Sequence, residues 1–275
     1  MNPVVSVIIP CFNQEKCIAE TLDSVLAQTF PDWECIVMDD GSSDRSGAVV
    51  QEYCAKDPRI KYFRQENAGV SRARNEAVAR SCGEYLLPLD GDDLIAPTYL
   101  EEAVSTIRSE KGIKLVYCLA DTFGARKGPW LLKSFKYEDF VLENCIFCTA
   151  LFRRADFDAI GGFNENMKQG LEDWDFFLSL ISPDDKVVQI QKVLFHYRIH
   201  EGSRTDTLRL NEAEMLWQVI HNHPAIYKEH LFRLVEKHRL DSSSLTYPFE
   251  NRLGHILTKP LRLWRQFLLK RKYRP

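Results

Sequence analysis

Along the first half of the chain, apolar and polar positions fall into blocks that alternate between two periods. Val4 to Pro10 is a nearly unbroken β-branched run, the pattern of a strand covered on both faces. Glu15 to Gln28 carries Ile18, Leu22, Val25 and Leu26 at helical spacing. Trp33 to Asp40 is a second apolar run that ends in acids, and GSSDRSGAVVQEY begins with cap-type residues and continues as a helix. Ile60 to Gln65 reads as a shorter strand, Val70 to Ser81 as a helix rich in Ala and Arg, and Glu84 to Asp90 as a fourth strand. Repeated βα units of this kind predict a parallel sheet with helices on both faces. Ligands on such sheets bind beyond the carboxyl ends of the strands. Polar clusters fall at those ends: Asn13, then Asp39 with Asp40, then Asp90 to Asp93.

The second half is less regular. Pro97 to Glu110 reads as a helix, Lys114 to Thr122 as a strand, and Gly124 to Trp130 as a loop. Ile146 to Arg153 predicts a strand, followed by a short helix and the turn Gly161-Gly162. Glu172, Asp173 and Asp175 fall at a helix start, where acids favour the positive end of the dipole. VVQIQKVLFHYRIH predicts a last strand with basic and histidine residues at its end, and from about Asp206 the pattern is helical.

The length of 275 residues allows one large domain or two small ones. A hydrophobic content of 45% and a charge content of 27% are ordinary for a globular protein. The net charge of -3 gives no global case for nucleic-acid binding. No apolar run reaches the ~18 residues of a membrane span. The N-terminus lacks the charged region and cleavage site of a signal peptide. The eight scattered cysteines then suggest reduced thiols and a cytoplasmic location. Cys145 and Cys148 form a lone CxxC, weak evidence for zinc against buried strand cysteines.

The stretch GEYLLPLDGDDL, Gly83 to Leu94, ends an apolar run in carboxylates. If extended geometry persists through Asp92, Asp90 and Asp92 share one face. Adjacent anionic oxygens of this kind suit a hard divalent ion, Mg²⁺ or Mn²⁺, with room for phosphate oxygens. The competing reading is a solvated turn with Gly91 at its corner. An EF-hand loop is excluded, because its wider acid spacing and terminal Glu are missing.

Five segments in order resemble the family-2 glycosyltransferases. They are SVIIPCFNQE (Ser6 to Glu15), MDDGSSD (Met38 to Asp44), NAGVSRARNEAVARSCGEYLLPLDGDD (Asn67 to Asp93), GLEDWDFFLSL (Gly170 to Leu180) and HYRIHEGS (His196 to Ser203). The resemblance implies an α/β GT-A (Rossmann-like) fold: a mixed, mostly parallel sheet flanked by helices. It covers a catalytic domain over 1–205, leaving 206–275 as a helical C-terminal extension. It implies an inverting, metal-dependent transfer of sugar from a nucleotide-sugar donor, a UDP-sugar at family level, to a hydroxyl of a glycan or lipid-linked acceptor in polysaccharide or cell-envelope glycan synthesis.

The resemblance also distributes roles. Asp40 is the base contact, with the backbone of Pro10 and Phe12 nearby; Asp39 shares that role or braces the loop. Of Arg72 and Arg74, which face different ways on a helix, Arg72 matches the position that contacts nucleotide. The acidic triplet matches a DxD motif with an extra Asp: Asp92 as metal ligand, with Asp90 and Asp93 holding metal or ribose hydroxyls. His196 matches a third metal ligand of a Mn²⁺ or Mg²⁺ site. Arg198, His200 and Ser203, with Arg204 near, match a segment that closes over the diphosphate. Asp173 matches the general base, with Glu172 as alternative base or acceptor ligand. Trp174 reads equally as acceptor wall or core.

Three other readings compete. A nucleotidyltransferase would carry a Gly-rich phosphate loop after the first strand, where this chain has PCFNQE. An aspartyl-nucleophile phosphatase would place its nucleophile where Pro88 stands. A non-catalytic nucleotide-sugar-binding protein has no need of Asp90, Asp92, Asp173 and His196 together. The segment Lys259 to Arg274 interleaves basic residues with Leu261, Leu263, Trp264, Phe267, Leu268 and Leu269. It reads as an amphipathic helix for peripheral contact with the inner face of the plasma membrane, or as one packed on the catalytic domain.

Overall fold

The computed structural model describes residues 2–168, 170–200 and 214–241, with side chains of the last helix described to residue 232. The chain divides into two compact units, Met1–Ser203 and Arg204–Pro275. In the second, the described residues form helices over 214–222 and Pro224–Asp241. Among the described residues no helix is long and apolar enough to cross a membrane. Ser203, Arg204 and the basic segment after Lys259 lie outside the described residues.

The first unit is built on four parallel strands: β1 (Val5–Cys11), β2 (Trp33–Asp39), β3 (Ile60–Arg64) and β4 (Tyr85–Pro88). The helices α1 (Ile18–Leu26), α2 (Ser46–Lys56) and α3 (Val70–Ala79) connect them. Every residue of β1, β2 and β4 is buried, which explains their unbroken apolar runs. The remaining elements are β5 (Leu94–Ile95), α4 (Tyr99–Ser109), β6 (Ile113–Gly124), β7 (Gly128–Trp130), α5 (Tyr137–Phe140), β8 (Leu151–Arg153), α6 (Arg154–Ile160), α7 (Glu172–Leu180) and β9 (Lys186–Ile199).

One sheet runs in the order β3-β2-β1-β4-β8-β6-β9-β5, with β7 paired to β6. β8 is antiparallel to both β4 and β6, whereas β6 and β9 are parallel. The architecture is the mixed, mostly parallel α/β sheet anticipated above.

Three local readings change. The Gly124–Trp130 segment is no plain loop, because β7 closes a hairpin on β6. The strand expected from Ile146 is confined to Leu151–Arg153. The fourth strand ends at Pro88, and Asp90–Asp93 form a turn closed by the Asp93 N–H on the Asp90 carbonyl at 3.0 Å. The turn is tight at Gly91, where a Cβ would run into the Gln14 side chain and press on Ile18. Asp90 and Asp92 therefore do not share a strand face.

Candidate active site

The loop after β1 is tied to the loop after β2. Backbone N–H groups of Asn13, Gln14 and Glu15 donate to Ser42 Oγ at 3.0 Å, Ser46 Oγ at 2.7 Å and Asp44 Oδ2 at 3.0 Å. Asn13 takes a left-handed φ of 53°, and its Oδ1 receives the Ser43 N–H at 2.9 Å. Asn tolerates that conformation better than most residues. The result is a cleft of about 470 Å³ lined by residues that include Phe12, Asn13, Lys16, Asp92 and His200. Phe12 is 48% exposed at its edge.

Asp39 and Asp40 are buried and brace this frame. Asp39 Oδ1 receives the Ser42 N–H at 2.7 Å, and Oδ2 receives the Tyr62 hydroxyl at 2.6 Å. Asp40 Oδ1 receives Gln65 Nε2 and the Ala68 N–H at 2.7 and 2.9 Å; Oδ2 receives the Gly69 N–H at 2.9 Å. The Oδ2 atom keeps acceptor capacity for one more donor.

At the centre lies Arg74, 1% exposed. It donates through Nη2 to Asp90 Oδ1 at 2.7 Å and through Nη1 to Glu172 Oε1 at 3.0 Å. Its partner on the helix, Arg72, is exposed. Arg74, rather than Arg72, is thus the arginine that faces the acids. The signal was present in the sequence: Arg74 shares a helical stripe with the buried Ala77 and Val78.

The turn acids diverge. Asp92 Oδ2 lies 2.7 Å from His200 Nε2. Asp93 Oδ1 receives the Arg198 backbone N–H at 2.8 Å. The Arg198 side chain donates to the Asp92 carbonyl at 2.7 Å and to Glu20 at 3.0 Å, so it clamps the turn. Burial and the neighbouring Asp90 raise the pKa of Asp92, against the pull of His200. Burial, Asp92 and Asp90 raise Asp93 further. Arg74 offsets the charge of Asp90, and Asp92 with His200 offers the oxygen and imidazole donors that a divalent ion such as Mn²⁺ accepts. Among the described residues no three His, Cys, Asp or Glu side chains form a ready-made cage.

His196 does not meet Asp92. β5 runs antiparallel to β9 with Leu94 opposite His196 and Ile95 opposite Phe195, which sets the turn before β5 against Arg198. His196 Nδ1 instead pairs with Asp121 Oδ1 at 2.6 Å.

α7 begins after Leu171, whose φ of 60° is unusual for a branched residue. Asp173 Oδ1 accepts the Trp174 N–H at 2.7 Å, and Oδ2 accepts Asn144 Nδ2 at 3.2 Å. Asn144 Oδ1 in turn receives the Ile146 N–H at 3.1 Å. Burial first and the adjacent Glu172 second raise Asp173 to about 7, against the attraction of Arg74. No shift was required of Asp173 from its sequence; the structure supplies one. Trp174 is core: it is 3% exposed and its Nε1 donates to the Phe140 carbonyl at 2.9 Å. Cys145 and Cys148 are free thiols outside any strand.

Residues 6–161 match the family described as Glycosyl transferase family 2. The chondroitin synthase of Escherichia coli is 29% identical over 237 residues, covering 84% of this chain and 33% of that protein. An uncharacterized glycosyltransferase of Rickettsia typhi is 30% identical over 230 residues, covering 78% of this chain and 71% of that protein. The chain thus spans only a third of the length of the chondroitin synthase. Among solved structures, S. aureus TarS in complex with UDP-GlcNAc superposes with a TM-score of 0.64 at 23% identity, over 81% of this chain and 72% of that one. The mannosyltransferase PcManGT from Pyrobaculum calidifontis, in complex with GDP-Man and Mn²⁺, gives 0.63 at 20% identity, over 96% and 83%. The matched profile covers more than half of the chain and includes the β1 loop, the Asp39-Asp40 pair, Arg74 and the acidic turn; with the shared sheet, it makes this chain a member of glycosyl transferase family 2 with the GT-A fold.

Proposed function

We propose that the chain is an inverting glycosyltransferase that moves a sugar from a nucleotide-sugar donor, a UDP-sugar first, to a hydroxyl of a glycan or lipid-linked acceptor. The observation that carries this reading is the Arg74 bridge. It holds Asp90, on the diphosphate side, and Glu172, next to a carboxylate base, on one buried guanidinium. The names of the relatives, chondroitin synthase of E. coli and hyaluronan synthase of Pasteurella multocida, support polysaccharide or cell-envelope glycan as the product. The UDP-GlcNAc bound by TarS and the GDP-Man bound by PcManGT support a nucleotide-sugar donor.

In this reading residues 1–205 are the catalytic domain. Phe12 stacks on the base beside the Pro10 backbone, Asp40 Oδ2 takes a base N–H, and Asp39 holds the loop. Arg72, on the exposed side of α3, meets the nucleotide from solvent. Asp93 and Asp90 hold ribose hydroxyls, while Arg198, His200 and Ser203 border the diphosphate. Asp92 and His200 would hold Mn²⁺ or Mg²⁺, with Asp90 adjacent and His196 the alternative imidazole. The ion would neutralise charge on the departing nucleoside diphosphate.

Asp173 takes the proton of the acceptor hydroxyl as its oxygen attacks the anomeric carbon. The bond from that carbon to the diphosphate breaks on the opposite face, its electron pair leaves with the diphosphate, and the anomeric centre inverts. Glu172 stays on Arg74 and holds the acceptor. The basic C-terminal segment suits peripheral contact with the cytoplasmic face of a membrane that carries a lipid-linked acceptor. The test is incubation with Mn²⁺ and a panel of nucleotide sugars. Release of nucleoside diphosphate is expected; release of pyrophosphate from a sugar phosphate plus nucleoside triphosphate would replace this reading by nucleotidyl transfer.

A further inference from the structure

β9 divides the site into two sides, because successive strand side chains face opposite ways. His196 and Arg198 share one side; the Arg198 side chain and, just past the strand, His200 meet Asp92. Phe195 and Tyr197 share the other. There the Trp130 ring lies 4.7 Å from Tyr197, 5.9 Å from Phe147 and 6.4 Å from Phe195, centroid to centroid. Phe147 and Phe195 are buried and 4.6 Å apart, and they form a floor. Trp130 and Tyr197 are half-buried, with planes inclined at 41°, and they form an open aromatic corner above it. Ala120 stands opposite both Trp130 and Phe195 in the sheet register, a small side chain between two large ones.

The corner adjoins the base. Phe147 lies three residues beyond Asn144, whose amide holds Asp173. The Tyr197 hydroxyl makes no hydrogen bond to another described residue. Burial, then the carboxylates of Asp93, Asp90, Asp92 and Asp173, raise it to about 12.

We propose, resting on the glycosyl-transfer reading above, that the Trp130–Tyr197 corner is the subsite for the pyranose ring of the acceptor and turns its attacking hydroxyl toward Asp173. A pyranose has an apolar C–H face and a rim of hydroxyls. The aromatic faces match the first, and the Tyr197 hydroxyl, with the nearby carboxylates, matches the second. An acyl chain has no hydroxyls to offer this polar rim.

The test labels the full chain with 5-fluorotryptophan and titrates it with methyl β-glucopyranoside, methyl β-galactopyranoside, methyl β-mannopyranoside and methyl N-acetyl-β-glucosaminide. At least one pyranoside shifts the Trp130 fluorine resonance while that of Trp33, 2% exposed, stays fixed. Trp130→Ala weakens that sugar, read by saturation transfer, by about fivefold or more. Trp130→Phe, which keeps a ring on the same floor, restores part of the affinity. The subsite is overturned if no pyranoside moves Trp130, if Trp217 alone responds, or if Trp130→Ala binds with unchanged affinity. Nucleoside diphosphate release by the wild-type chain separates the two readings. With release and no shift at Trp130, only the subsite fails; with no release from any donor, the glycosyltransferase reading fails first.

Discussion

Arg74 Nη1 lies 3.0 Å from Glu172 Oε1, joining α3 to the first turn of α7 across 98 residues of sequence. The other arm of the same guanidinium holds Asp90. Removing one partner of a buried ion pair leaves the others uncompensated. Arg74→Ala should therefore cost about 3–5 kcal/mol, measured by denaturant unfolding. Arg74→Lys keeps the charge but not the fork that spans two carboxylates. Its stability should fall less while transfer falls at least about tenfold. Wild-type turnover in Arg74→Lys would show that the bridge is structural only.

With Asp173 as the proposed base, the reaction has an acid limit. With its carboxyl raised to about 7, the base is protonated below neutrality, so transfer should rise with pH through about 7 and level off above. Asp173→Asn should bind donor and lose transfer by roughly 10²–10⁴-fold. The stability sign is opposite. A carboxyl raised in the folded state favours folding below its ordinary pKa, and that contribution is lost as pH rises through about 7. Asp173→Asn should therefore be more stable than wild type at pH 8, with the gap closing in acid. A pH-independent difference in thermal unfolding would contradict this account.

Asn144 acts through Asp173. Its amide donates to the ionised carboxylate, and such a bond favours the charged form. Asn144→Ala should move the inflection of the rate profile to higher pH, not merely lower the plateau. A profile that drops without shifting would reduce Asn144 to a packing residue.

Asp92 and His200, 2.7 Å apart, are the pair to which the proposed function gives the metal. Asp92→Ala should abolish any Mn²⁺-dependent gain in donor affinity, and His200→Ala should weaken it, both read by calorimetry with and without Mn²⁺. Retention of the Mn²⁺ effect in Asp92→Ala would move the ion elsewhere.

Glu34, 3% exposed, makes a stability prediction away from the site. It accepts Ser6 Oγ at 2.8 Å, the Cys82 N–H at 2.6 Å and Lys61 Nζ at 2.8 Å. Burial raises its pKa, but these three donors outweigh burial and hold it below the ordinary value. Its contribution is present above the unfolded pKa and lost as pH falls through the folded one. Glu34→Ala should cost about 2–4 kcal/mol at neutral pH and leave unfolding less sensitive to acid.

The parallel half of the fold was legible because β1, β2 and β4 are covered on both faces and the helices between the strands show their stripes. The candidate site was legible where acids cluster in short motifs, as at Asp90–Asp93 and Glu172-Asp173, which Arg74 brings together. It was not legible where position depends on geometry between distant segments. The choice of His200 over His196 beside Asp92 turns on which distant acid each imidazole meets, Asp92 for His200 and Asp121 for His196. Asn144 sits in an aperiodic stretch with no neighbour to mark it. Arg74 was within reach, since a helical stripe distinguishes it from Arg72.

The insertion of β8 between β4 and β6 bears on the order of assembly. β1 to β4 can form from successive local units as the chain leaves the ribosome, but β4 then presents an open edge until Leu151–Arg153 has been made. An unpaired edge invites pairing with another chain. Slow translation before residue 151, or truncation there, should therefore favour self-association of nascent chains. Helix α7, which carries the proposed base Asp173, follows β8 in sequence, so in the proposed reaction catalytic competence arrives only after that edge can be closed.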